Sequence, residues 1–188
     1  VKLNSADFQR GGFDSDDALR VVKMLESEHV SLVELSGGSY ETPAMQGITS
    51  DDRTLEREAF FLQFAKEIAV NTSIPLMTIG GIRRLPIAER VVASGVPLVG
   101  IATGLAMEPN LVNIWHQDDQ FVAPYPNITF KNKTLRSFTV MAAVRRNLSR
   151  IGQGKKVKTN LSSWFTLMTD QIRTAKLTKR YVNKNKSN

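Results

Sequence analysis

The stretch PLMTIGGIRRLPIAERVVASGVPLVGIATG, residues 75–104, determines the fold class predicted for this chain. It contains two short apolar runs, Leu76–Ile79 and Leu98–Ala102, which we predict to be strands, and each run ends at a turn that contains glycine. Between the two runs, Ile87 and Val91 recur at helical spacing. A strand, a helix and a second strand in this order predict a parallel βαβ unit with a right-handed crossover.

The same pattern occurs twice upstream of this stretch. We predict strands at Val1–Asn4 and Leu32–Leu35, followed by helices over residues 15–28 and 55–70 whose apolar side chains lie on one face. Strands that alternate with helices predict a parallel sheet, either open and doubly wound or part of a (β/α)8 barrel. Four such units are half of a barrel.

The pattern changes after His116. An irregular stretch with two prolines comes next, and the helical spacing of apolar residues returns over residues 134–148 and 162–177. The chain then ends in a polar segment rich in lysine and asparagine. We therefore expect two parts, a half barrel over residues 1–116 and a linker with a helical extension over residues 117–188.

The composition indicates a folded protein. Of the 188 residues, 41% are hydrophobic and 23% are charged, which is enough apolar material for a core. Cysteine is absent, which excludes disulfides, thiolate metal sites and a cysteine nucleophile, and we expect a reducing, cytoplasmic location. The longest uncharged run, residues 91–107, has 17 residues, but glycine and proline interrupt it, so we expect a buried strand between turns and no membrane partner.

The charge of the chain is distributed unevenly. The net charge is +7, yet residues 1–130 carry 10 lysines and arginines against 17 acidic residues, whereas residues 131–188 carry 15 against Asp170 alone. A basic segment with aromatic residues is one signature of nucleic-acid binding. We favour amphipathic helices that pack on the acidic half barrel or on a second subunit, because the apolar residues recur at helical spacing. Nucleic acid is therefore not an expected partner.

Two glycine-containing turns are the candidate binding features. Gly80-Gly81 follows one predicted strand, and Ala102-Thr103-Gly104 lies at the end of the next. Gly81 and Gly104 are 23 residues apart. Glycine lets a backbone approach a ligand closely, and the N-terminus of the following helix attracts anions such as phosphate. In barrels this site commonly lies after the seventh and eighth strands, which would make the four predicted strands the fifth to eighth. The alternative is that these glycines only connect strand to helix.

Five blocks of the sequence resemble one known family. They are VKLNSADFQRGGF (1–13), LVELSGGSYETPAM (32–45), REAFFLQFA (57–65), PLMTIGGIRR (75–84) and VGIATGLAMEPNLV (99–112). In this order and at this spacing they resemble the C-terminal half of the Old Yellow Enzyme family, the NADH:flavin oxidoreductase/NADH oxidase group. The resemblance covers about residues 1–116. It implies an FMN-containing (β/α)8 barrel that takes hydride from NADH or NADPH and reduces activated alkenes such as enones.

The resemblance assigns three residues directly to FMN. Lys2 matches a basic residue beside the flavin pyrimidine edge, where a cation stabilises the negative charge of reduced flavin. The alternative is a strand lysine that only pairs with a carboxylate. Gly80 and Gly81 match the glycines whose backbone N–H groups hold the FMN phosphate.

The next strand end departs from the family pattern. Ala102 and Thr103 match a Gly-Arg pair common in the family, so this chain lacks the arginine at that position. We expect phosphate binding to rely on backbone donors, the Thr103 hydroxyl and a cation such as Arg83 or Arg84.

The other site residues of the family come from its first four strands, and none of them is recognisable in this sequence. Catalytic residues therefore stay unassigned, and the half that would carry them is missing. His29 and His116 lie outside the expected motif, so we predict structural or solvent-exposed roles for both. Residues 36–38 could pass near the flavin or substrate, and Tyr40 fits packing better than chemistry.

Two functions remain open from these observations. In the first, the chain is the C-terminal half of an FMN-dependent NAD(P)H oxidoreductase. In the second, it is a noncatalytic half barrel that serves as a binding or assembly module. An open half barrel has two unpaired sheet edges, so we also expect a homo-oligomer that completes the barrel or further sequence upstream.

Overall fold

The structure, a computed structural model, describes residues 1–5, 7, 11–37, 58–59 and 61–186. The chain divides into two units. The first, here called the sheet unit, consists of Val1–Leu105 and Asn110–Ala123, and the second, here called the helical unit, consists of Ala106–Pro109 and Pro124–Asn188.

Four short strands form a parallel sheet in the order of the sequence. They are β1 (Lys2–Asn4), β2 (Val33–Ser36), β3 (Leu76–Thr78) and β4 (Leu98–Val99). One row across the sheet contains a residue of every strand: Lys2, Glu34, Met77 and Leu98. Strands that follow chain order bring all right-handed crossover helices onto the same face of the sheet.

The helices that follow these strands are α1 (Ser15–Glu26), α2 (Leu62–Ala69), α3 (Leu85–Ala93), α4 (Thr103–Met107) and α5 (Leu111–Trp115). α1 begins at a capping box. The Asp14 carboxylate accepts from the N–H groups of Asp16 and Asp17, each at 3.0 Å, and Asp17 accepts from the N–H of Asp14 at 3.2 Å. The box satisfies donors that a helix start leaves unpaired.

The two faces of the sheet differ in burial. Val33, Leu35 and Leu76 point to one face, where they are at most 1% exposed and pack with apolar residues of α1, α2 and α3. On the other face, Leu98 is 39% exposed, and Met77 is only partly buried. Consecutive strand order with helices on one face is unlike a doubly wound sheet and compatible with part of a (β/α)8 barrel.

Two long helices make up most of the helical unit, α6 (Lys133–Ile151) and α7 (Ser163–Lys186). Arg145 of α6 pairs with Asp170 of α7 through two hydrogen bonds, one of them from Nε to Oδ1 at 3.1 Å. The Arg146 guanidinium lies 5.3 Å from the ring centre of Phe165, in a cation–π contact. Charged and aromatic contacts therefore join the two helices.

The sequence predicted the type and order of these elements, but some bounds differ. β4 ends at Val99 rather than residue 102, because the chain turns into α4 at Thr103. α2 begins at Leu62, and residues 58–59 before it are not helical; residues 55–57 lie outside the described part. α7 continues to Lys186 instead of ending at 177, since its lysine-rich end contains no glycine or proline.

Candidate functional site

The carboxyl ends of the parallel strands lie at one edge of the sheet, and both predicted phosphate turns begin there. β3 leads into Gly80-Gly81, here called the glycine turn, and β4 leads into Ala102-Thr103, here called the β4 turn. Because β3 and β4 are adjacent and in register, the two turns leave neighbouring positions on that edge. Ligands of parallel α/β proteins commonly bind at this end of the strands.

The glycine turn has a backbone that only glycine adopts readily. The φ angle is 128° at Gly80 and 71° at Gly81, both in the region that a Cβ disfavours. Within the described part of the chain, the N–H groups of Gly80, Gly81 and Ile82 donate no hydrogen bond. Successive unpaired N–H groups in a turn are a donor set that can bind an anion.

A buried carboxylate anchors the segment after the glycine turn. The N–H of Arg83 donates to Oε2 of Glu58 at 3.0 Å, and Nε of Arg84 lies 3.4 Å from Oε1 of the same group. Glu58 is 7% exposed. Arg83 also donates from Nε to the carbonyl of Ala123 at 2.7 Å, and the N–H of Ala123 donates to the carbonyl of Arg83 at 2.8 Å. These bonds hold the segment on both sides.

Sequence reasoning missed the role of Glu58. A signal was present, because Glu58 is an acidic residue directly before the apolar stripe of α2, and two adjacent arginines follow the glycine turn. A lone acidic residue at the edge of a core needs a basic or N–H partner. The sequence alone did not indicate which arginine would supply it.

The β4 turn is held by tight packing around the glycine that follows it. Ala102 is exposed, Thr103 starts α4, and Gly104 is buried. A Cβ on Gly104 would lie 3.0 Å from Cγ2 of Ile101 and 3.2 Å from Cβ of Ala123, so a larger residue would displace the turn. As at the glycine turn, the N–H groups of Ala102 and Thr103 donate no hydrogen bond to any described residue.

Lys2 lies on the sheet face opposite the one that packs against α1, α2 and α3, and this face is here called the uncovered face. Its Nζ pairs with the carboxylate of Glu34 on β2, and the two side chains are 58% and 23% exposed. This is the pairing that the alternative interpretation of Lys2 predicts. The row of Lys2 lies about 10 Å from Gly80 along the strands and about 10 Å from it across two strands. Lys2 and the glycine turn could therefore contact only opposite ends of one extended ligand.

The structure describes some of the remaining candidate residues and not others. The carbonyl of Ser36 accepts from the N–H and the hydroxyl of Ser5, both at 2.6 Å, so this strand end is tied to β1. His29 and His116 are exposed, as predicted. Gly38 and Tyr40 lie outside the described residues.

Neither a metal-binding cluster nor a membrane-spanning helix occurs among the described residues. None of the histidine, aspartate and glutamate side chains among them forms a group of three that could hold a metal ion. Over the same residues, no helix has the length and apolar character needed to cross a membrane.

The sequence is similar to curated NADH-dependent flavin oxidoreductases over about half of its length. It is 33% identical over 120 residues to one from Neonectria sp. (strain DH2), covering 59% of this chain and 16% of the relative. It is 28% identical over 109 residues to an NADH oxidase of Thermoanaerobacter brockii, covering 57% of this chain and 16% of that enzyme.

A third relative carries a different name. The chain is 27% identical over 140 residues to a 4,4'-dithiodibutanoate disulfide reductase of Rhodococcus erythropolis, covering 60% of this chain and 35% of that enzyme. The chain thus spans between 16% and 35% of the length of these three relatives. No protein-family model matches the chain.

Proposed function

We propose that this chain is the FMN-binding, C-terminal half of a (β/α)8 barrel in a flavin oxidoreductase that uses NADH or NADPH. The observation that carries the proposal is the glycine turn, with three unpaired N–H groups at the carboxyl edge of consecutive parallel strands. Similarity to NADH-dependent flavin oxidoreductases supports the same class. The four strands would be the fifth to eighth of the Old Yellow Enzyme type of barrel, over residues 1–116, with a linker and basic extension over 117–188.

The donor set fits a phosphate ester such as the one that FMN carries. The N–H groups of Gly80, Gly81 and Ile82 would hold it on one side, and those of Ala102 and Thr103 on the other. Bound there, FMN would supply the chemistry of accepting a hydride from a reduced nicotinamide and passing it to an acceptor.

Lys2 would serve the opposite, pyrimidine end of the flavin. A cation there favours the negative charge of the reduced ring. Glu34 already neutralises part of the positive charge of Lys2. The effect of Lys2 on flavin reduction would therefore be smaller than that of an unpaired lysine.

The rest of the barrel would be added at the free edges of β1 and β4 and would enclose the uncovered face of the sheet. The partly buried Met77 and the exposed Leu98 on that face would then line the barrel interior. The strands that complete the barrel would come from further sequence or from a second copy of the chain, and would supply the substrate-binding and proton-donating residues.

The acceptor is proposed to be an alkene or enone. One relative is named a disulfide reductase, so acceptors differ among proteins that share this stretch. In the alternative, the chain is a noncatalytic half barrel that takes part in assembly. We propose neither a nucleic acid nor a membrane as partner.

Flavin binding to the full chain tests the proposal. Purified protein is mixed with FMN, and binding is followed by quenching of flavin fluorescence and by the flavin absorption band. We expect FMN to bind and the double variant Gly80→Val/Gly81→Val, which closes the turn, to lose it. Addition of NADH and an enone then tests turnover. A stable, colourless homodimer that does not bind FMN would overturn the proposal in favour of the assembly module.

A further inference from the structure

Two adjacent arginines follow the glycine turn, and the structure holds them in different ways. Arg83 directs its Nε to the backbone carbonyl of Ala123, 2.7 Å away. Arg84 lies with Nε 3.4 Å from Oε1 of Glu58, and its side chain is 34% exposed. Arg84 makes no other hydrogen bond or ion pair with the described residues. Its two Nη groups, with four N–H donors, are therefore available to a ligand.

Glu58 restricts the orientation of Arg84. The Glu58 side chain is 6% exposed, and its second oxygen accepts from the N–H of Arg83, so both carboxylate oxygens act on the same short segment. A carboxylate this buried is costly without partners, which favours keeping the pair intact. An arginine held at Nε keeps its planar fork in one orientation and loses less entropy when it binds phosphate.

We propose that Arg84 is the cation that recognises the phosphate at the glycine turn, and that Glu58 is its positioning residue. This inference rests on the proposed function, which assigns the phosphate to that turn. Arg84 is the N-cap of α3 and lies three residues after Gly81, so its side chain starts on the segment that carries the unpaired N–H groups.

Lysine cannot replace Arg84 in this role. Glu58 cancels much of the positive charge, so Arg84 contributes mainly directed N–H donors. A lysine at position 84 would keep the charge but supply no planar fork.

The test compares FMN with riboflavin, which has the same ring system but no phosphate. Binding of each is measured by fluorescence quenching for the full wild-type chain and for Arg84→Gln, Arg84→Lys and Glu58→Gln. Arg90→Gln, which removes a positive charge from the other end of α3, is the matched control.

The expected result is selective for the phosphate. Arg84→Gln and Arg84→Lys should each weaken FMN binding about tenfold, the size expected for one charge-assisted hydrogen bond, with riboflavin binding unchanged. Glu58→Gln should weaken FMN binding less, by roughly threefold and again without an effect on riboflavin, because it loosens Arg84 but also removes a negative charge that repels the phosphate. Arg90→Gln should leave both affinities unchanged.

The outcomes separate this inference from the function on which it rests. If the wild-type chain binds neither flavin, the proposed function of this chain as an FMN-binding half barrel is overturned. If it binds both equally, the phosphate site is wrong. If it prefers FMN and Arg84→Gln keeps that preference, only the role of Arg84 is overturned.

A second variant keeps the role of Glu58 testable. Circular dichroism identifies a Glu58→Gln protein that fails to fold, and Glu58→Asp then decides the question. The shorter aspartate keeps the charge but draws the carboxylate back from Arg84, so a positioning role predicts weaker FMN binding and unchanged riboflavin binding. An equal loss of both flavins would overturn the positioning role.

Discussion

The sheet unit and the helical unit differ in what fills their interiors. In the sheet unit, the largest fully buried side chains are apolar, such as Leu35, Phe61 and Leu76. Among the described residues, the sheet unit buries three polar side chains, Ser5, Glu58 and Thr78, and the helical unit buries five: Thr139, Asn147, Ser163, Thr166 and Asp170. The first interior is stabilised mainly by the burial of apolar area, and the second depends more on side-chain hydrogen bonds such as those of Thr139, Asn147 and Asp170.

The helical unit also leaves more apolar surface exposed. A row of large apolar side chains on α6 and α7 is between 51% and 57% exposed: Phe138, Met141, Phe165, Met168 and Ile172. Those helices thus bury only part of their apolar surface. We therefore expect substitutions in the interior of the sheet unit to be the most destabilising, and substitutions of polar groups in the helical unit to follow.

The largest expected effect is that of Leu35→Ala. Leu35 is fully buried in β2, so its truncation should lower the free energy of unfolding by about 3 kcal/mol, measured by urea denaturation. The matched control is Leu98→Ala, on the uncovered face and 39% exposed, which should cost less than about 1 kcal/mol. Equal losses would mean that the two faces of the sheet are equally covered in solution.

A buried amide provides the next test, in the helical unit. Nδ2 of Asn147 donates to the carbonyl of Lys158 at 3.1 Å, and its Oδ1 accepts from the N–H of the same residue at 3.0 Å. Asn147→Ala leaves both backbone groups without this partner and should cost about 2 kcal/mol in the same assay. The exposed Asn160→Ala is the control. A cost for Asn147→Ala as low as that of the control would contradict the polar description of this interior.

The ion pair between α6 and α7 should respond asymmetrically to the loss of each partner. Asp170 is 8% exposed and Arg145 is 43% exposed. Arg145→Gln leaves a buried carboxylate without its cation and should cost about 2 kcal/mol, whereas Asp170→Asn leaves an arginine that water can solvate and should cost about 1 kcal/mol. Urea denaturation of the two single variants and the double variant measures this difference. The reverse order would show that Arg145 contributes mainly through packing.

The smallest effect concerns Glu26 at the end of α1. The N–H of Ser73 and, next, the hydroxyl of Thr72 donate to its carboxylate and hold the pKa of Glu26 below its ordinary value. A folded-state pKa below the unfolded one adds stability above the unfolded pKa, and that stability is lost as pH falls through the folded pKa. Glu26→Gln should therefore reduce stability at neutral pH and flatten the decline in stability between neutral and acid pH.

Thermal melting at several pH values measures this effect, with the exposed neighbour Glu28→Gln as control. If Glu26→Gln kept the full acid dependence of the wild-type chain, the hydrogen bonds from residues 72 and 73 would not be formed in solution.

Much of the fold and part of the candidate site could be predicted from local sequence. Short apolar runs indicated the strands, helical spacing indicated the helices, and Gly80-Gly81 marked the turn that needs positive φ angles. The bounds of β4 and α2 could not be predicted, because the end of a strand or helix depends on which backbone hydrogen bonds the folded neighbouring elements allow. The length of α7 was underestimated, because a lysine-rich sequence supports a helix as well as a loop.

The sequence by itself determined the order of strands and helices, the parallel sheet and the position of the glycine turn, since these follow from spacing within short segments. Only the tertiary structure decided that Lys2 pairs with Glu34, that Glu58 binds Arg84, and that Arg83 turns toward Ala123. Those pairs join residues far apart in sequence, so no local pattern specifies them. They form only when the packing of the sheet and its helices brings a polar side chain next to a hydrogen-bond or ion-pair partner.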